Sequence, residues 1–69
     1  MSIGENLRSL REKKGYTQTT IAEKTGLSQS MVAQLERGTK TLSLPLAIEL
    51  SEILECSVMD FIHQGRKEN

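Results

Sequence analysis

The chain has 69 residues, with nine Lys/Arg balanced by nine Asp/Glu. That length suits one small domain with a modest core and leaves no room for a second, ligand-sensing or catalytic domain. No apolar run approaches membrane-spanning length and the opening residues show no signal-peptide pattern; the single cysteine, Cys56, excludes an internal disulfide and fits a reducing cytoplasm.

Caps and periodicity predict five helices. Ser2 with Glu5 forms a capping box for a first helix reaching about Lys14, with Ile3, Leu7 and Leu10 on one face and Gly15 ending it. Thr17 caps a second helix, and Tyr16 before it is placed to staple onto Ile21. Gly26 stands where that helix needs a left-handed residue. Ser28 caps a third helix, with Leu27 and Val32 as its staple. Ala22 faces the crossing of helices two and three, where a larger side chain would push them apart; Ile21, Val32 and Leu35 supply the apolar contacts. Ser43 caps a fourth helix that tolerates Pro45 in its first turn and buries Leu46, Ala47, Leu50, Ile53 and Leu54. Cys56 reads as a small buried hydrophobe. Ser57 with Asp60 opens a short fifth helix through about His63, whose apolar residues are Val58, Phe61 and Ile62. The last few residues read as a tail. No segment alternates as a strand does, so the predicted class is all-α, one domain over residues 1–69.

Residues 15–38 combine two short helices, a tight turn and a polar free face on the second helix. A pair of this kind lays its second helix in the DNA major groove. The same caps also serve a helical hairpin built for packing alone. On residues 29–36, Gln29 offers the paired donor and acceptor that match the adenine N6 and N7 edge. Ser30 offers a hydroxyl, Ala33 lets the helix sit deep, and Gln34 continues the exposed face; Met31 suits either a base contact or packing at the helix edge. For the phosphate backbone the candidates are Thr17 and Gln18 at a helix N-terminus, and the polar loop Arg37, Gly38, Thr39, Lys40 and Thr41 with its N–H groups and cations. Zero net charge argues against a phosphate binder. The distribution softens this: residues 1–40 hold seven Lys/Arg against four Asp/Glu, and residues 41–69 hold two against five.

The run TQTTIAEKTGLSQSMVAQLERG resembles the helix-turn-helix of the lambda-repressor, Cro and Xre family of bacterial and phage regulators. Gln18, Ala22, Gly26, Ser28, Val32, Leu35, Glu36, Arg37 and Gly38 stand where that pattern wants them. IGENLRSLREKKGYTQ resembles its first helix, and LSLPLAIELSEILECSVMDFI its fourth and fifth, so the likeness covers nearly the whole chain. It implies a compact five-helix lambda-repressor-like domain. It places base contacts on Gln29, Ser30 and Gln34, and implies that Gln18 reaches both a phosphate and Gln29. It also implies an ion pair between Arg11 and Glu36, which would take Glu36 off the DNA face. Some relatives carry arginines for the minor groove in the loop after the third helix. Leu42, Leu44 and Pro45 stand in this one, so that contact is not carried over.

The expected function is a sequence-specific double-stranded DNA-binding regulator, a repressor, acting in the cytoplasm of a bacterium or from a phage. One such unit reads few base pairs, so a homodimer on a palindromic operator is expected. Two surfaces are candidates for its interface: Leu42 and Leu44, or Met59, Phe61 and Ile62. A protein-interaction module on the same fold, an antitoxin or antirepressor subunit, is the alternative. No catalytic grouping, cofactor motif, small-molecule site or metal-ligand spacing is evident; Cys56 and His63 stand isolated.

Overall fold

The computed structural model describes residues 2–63, and the expected tail lies outside them. Five helices follow one another: α1 Ile3–Lys13, α2 Gln18–Thr25, α3 Gln29–Arg37, α4 Leu44–Leu54 and α5 Asp60–His63. There is no strand among the described residues.

The caps act as their residue types require. Ser2 and Glu5 exchange both hydrogen bonds of the capping box. The side chains of Thr17, Ser28 and Ser43 each accept from the backbone N–H three residues on, satisfying donors that a helix start leaves unpaired. Gly26 ends α2 and Gly38 ends α3, both left-handed at φ 77° and 85°. A less expected left-handed cap closes α4: Glu55, at φ 57°, without a glycine's freedom.

Leu7, Leu10, Ile21, Ala22, Val32, Leu35, Ala47, Leu50, Leu54 and Phe61 form one buried core. Each large member stabilises the fold by about 1.5–3 kcal/mol through loss of apolar surface from water. Leu46 and Ile53 are only half-buried at its edge, as are Met31 and Cys56. Burial, and then the nearby Asp60 carboxylate, push the Cys56 thiol up from its usual value, which disfavours a reactive thiolate.

The structure departs from expectation in three further places. Ile3 is 46% exposed, because the first turn of α1 meets α3 through Gly4 instead. A Cβ on Gly4 would lie 2.5 Å from the Glu36 carbonyl oxygen and 2.6 Å from that of Leu35. The second departure corrects the dimer surface: Phe61 is 1% exposed and belongs to the core, so it offers nothing to a partner. Its carbonyl accepts from Nδ2 of Asn6, a fully buried amide on α1 that ties α5 down. Third, α5 begins only at Asp60. The chain from Ser57 to Met59 closes with tight three-residue bonds, Asp60 N–H to Ser57 and Phe61 N–H to Val58.

Candidate nucleic-acid interface

The pairing of α2 with α3 leaves one side of α3 free. Val32 and Leu35 turn inward at 0% and 3% exposure, while Gln29 and Ser30 are exposed and Ala33 and Gln34 half-exposed. Gln34 Nε2 donates to Ser30 Oγ at 3.2 Å, one helical turn away. Met31 packs against the core, which favours the packing role of the two open to it.

Behind this face runs a chain of polar side chains. Arg11 on α1 grips Glu36 on α3 with two guanidinium donors, Nε to Oε2 at 2.6 Å and Nη2 to Oε1 at 3.2 Å. A third donor, Nη1, reaches the Tyr16 carbonyl at 2.8 Å and fixes the approach to α2. Both side chains are nearly buried, at 10% and 4% exposure, so Glu36 does not present its charge to solvent. Gln18 at the start of α2 donates from Nε2 to Glu36 Oε1 at 2.9 Å. Gln18 Oε1 in turn accepts from Gln29 Nε2 at 2.5 Å. Residues 11, 36, 18 and 29 thus join three helices, ending on the exposed face.

The loop after α3 holds a correction. The N–H groups of Gly38, Thr39 and Lys40 turn back onto the Leu35 and Gln34 carbonyls that the end of α3 leaves open. The Thr39 hydroxyl also donates to the Gln34 carbonyl. Gly38 and Thr39 therefore have their donors engaged and are poor phosphate contacts. The side chains of Arg37, Lys40 and Thr41 are exposed. At α2 the Thr17 hydroxyl is occupied by the cap and by Thr20, whereas Gln18 keeps a second N–H beyond the one given to Glu36. The sequence reading passed over Arg8. It lines the same open cleft, about 660 Å³, as Arg11, Gln18, Glu36 and Arg37. Helical spacing from Arg11 puts Arg8 on the same side of α1 and was the available signal.

The helix-turn-helix family matches residues 7–61. The chain belongs to this family, in its lambda-repressor-like, Xre branch. Its members are DNA-binding transcriptional regulators, and this chain shares their all-helical fold. An HTH-type transcriptional regulatory protein of Pyrococcus furiosus is 46% identical over 52 residues, 75% of this chain but 16% of that protein. The transcriptional regulator SinR of Bacillus licheniformis is 30% identical over 63 residues, 90% of this chain and 57% of SinR. The chain therefore spans only part of these relatives' length. Two solved structures share the fold at a TM-score of 0.79 each. The restriction-modification controller protein C.AhdI from Aeromonas hydrophila is 36% identical, with 86% of this chain and 89% of that one covered. SinR in complex with DNA is 31% identical, with 87% and 97% covered.

Proposed function

We propose that the chain is a sequence-specific transcriptional repressor that reads the major groove of double-stranded DNA with α3. Gln29, Ser30, Ala33 and Gln34 meet the bases; Gln18, Arg37, Lys40 and Thr41 hold the phosphates. The observation that carries this reading is the bond that Gln29 donates to Gln18, because it orients an exposed amide that packing alone would leave free to rotate. SinR was solved bound to DNA, which supports the same use of this fold.

The excess of cations in residues 1–40 is small, so non-specific affinity is weak and two reading helices are needed. A homodimer would place them about 34 Å apart on a palindrome. Its interface draws on exposed apolar side chains distant in sequence from α3, Met59 and Ile62 or Leu44. Leu42 is half-buried against the core and contributes less.

Selection of bound fragments from a random DNA pool tests the reading. A symmetric consensus is expected. Gln29→Ala and Gln34→Ala should each relax preference at one pair of positions and weaken binding by about 1–3 kcal/mol, with folding intact. Unchanged affinity in both variants would refute the assignment of the reading face.

A further inference from the structure

We infer that Glu36, a residue that does not face the DNA, is a specificity-determining positioning residue: through Gln18 it sets which way round the Gln29 amide meets the base. The inference rests on the major-groove reading above. It follows from hydrogen-bond polarity. A carboxylate gripped by a guanidinium is ionised and accepts only. Glu36 has that grip from Arg11 on both oxygens. Any amide beside it must therefore turn its NH₂ inward, and Gln18 does so at 2.9 Å. With its NH₂ turned to Glu36, Gln18 shows Oε1 to Gln29, and Gln29 answers with Nε2. Neither amide can flip without placing oxygen against oxygen or NH₂ against NH₂.

The consequence appears at the exposed end. One N–H of Gln29 is spent on Gln18, leaving the other N–H and Oε1 in a fixed order along the face of α3. Adenine presents one acceptor, N7, and one donor, N6–H₂, side by side in the major groove. A single fixed order of donor and acceptor matches that pair in one sense only. A Gln29 free to flip would meet it correctly in one of two orientations and lose discrimination. Glu36 thus acts as the reference from which the order is set, two hydrogen bonds away from Gln29.

The test compares base preference, position by position, in random-pool selections with the parent, Gln29→Ala, Gln18→Met and Glu36→Gln. Gln29→Ala identifies the position that Gln29 reads. Gln18→Met keeps length and the Arg11–Glu36 pair but breaks the relay. Glu36→Gln keeps shape but supplies a group that can donate as well as accept. Both are expected to lower the preference at the Gln29 position about tenfold while leaving the Gln34 position unchanged, a pattern that general loss of stability would not produce. Thermal melting identifies any variant that fails to fold; if Glu36→Gln is one, Glu36→Asp, which keeps the charge for Arg11 but draws the carboxylate back from Gln18, takes its place with the same relaxation expected. Full preference at the Gln29 position in folded Gln18→Met overturns the inference. So does relaxation in Gln18→Met but not in folded Glu36→Gln, since Gln18 would then orient Gln29 without Glu36. If Gln29→Ala alone relaxes no position the inference falls; if Gln34→Ala relaxes none either, the major-groove reading has failed with it.

Discussion

Helices α1, α2 and α3 meet along a polar seam, whereas α4 and α5 are held almost wholly by apolar burial. In the first region Arg11, Glu36, Gln18 and Gln29 pass hydrogen bonds from helix to helix. In the second, Ala47, Leu50, Leu54 and Phe61 pack inward, and the Asn6 amide on the Phe61 carbonyl is a polar tie to α1. Apolar packing fixes spacing but not the rotation of a polar side chain. A face that reads bases, as proposed for α3, needs the rotation as well, and directional bonds supply it. The surfaces differ to match. Of the five large apolar side chains left exposed among the described residues, Leu44, Ile48, Met59 and Ile62 lie in the second region.

The largest effect on stability is expected at the polar seam itself. Arg11→Ala leaves Glu36 at 4% exposure with its counter-charge gone. The expected loss is about 3–5 kcal/mol, a large share of a small domain's stability. Denaturant unfolding measures it. A loss comparable with an average surface substitution would mean that water, not Arg11, solvates Glu36 and that the two regions are less different than their geometry says.

Gly4→Ala attacks the same seam sterically. The added methyl would press on the carbonyl oxygens of Leu35 and Glu36, which are backbone and cannot rotate away. Moving α1 off α3 should cost about 1–3 kcal/mol. Because Glu36 would shift with it, operator preference at the Gln29 position should weaken along with the melting temperature.

Most of the helices were legible in the sequence because caps are local: Ser2, Thr17, Ser28 and Ser43 each bond within three residues. The exposed side of α3 was legible for the same reason, since exposure of Gln29 and Ser30 follows from burial of Val32 one helix face away. Residues whose role depends on a distant partner were not legible from spacing. Gly4 looks like an ordinary first-turn residue until α3 lies against it. Asn6 looks solvated until Phe61, 55 residues on, places a carbonyl above it. The inward turn of Phe61 is not legible either, because α5, only 4 residues long, gives too few turns to tell its inner side from its outer. The Arg11–Glu36 pair, 25 residues apart, was reached through family resemblance and not through spacing.

In the second region, Ile62→Glu should leave monomer stability within about 0.5 kcal/mol, since Ile62 is already 53% exposed. Sedimentation with a palindromic operator should then show two parent chains bound but one chain of the variant. If Ile62→Glu still binds in pairs and Leu44→Glu does not, the interface lies at the start of α4. If both still pair, neither apolar surface forms the dimer.

The smallest effect concerns the pair that joins the two regions. Lys14 caps the end of α1 and Glu55 the end of α4, and their side chains form an ion pair. Glu55 combines a left-handed backbone with a negative charge at a helix C-terminus, both unfavourable, and Lys14 offsets the second. The hydrogen bond and charge of Lys14 hold the Glu55 carboxyl below its ordinary 4.5, and Glu55 raises Lys14 above its ordinary 10.5. A lowered carboxyl contributes stability above its unfolded value and loses it as pH falls through the folded one; a raised amine contributes below its unfolded value and loses it as pH rises. The pair should therefore act on a plateau between 4.5 and 10.5 and fade outside it on either side. Both groups are solvent-accessible, so the effect is small and screened by salt. Melting of the parent and of Glu55→Gln across this range should give a small gap at neutral pH that closes below the carboxylate range and shrinks in high salt. A gap independent of pH and salt would show that Glu55 acts through its backbone conformation alone, and that the apolar region is joined to the polar one without electrostatics.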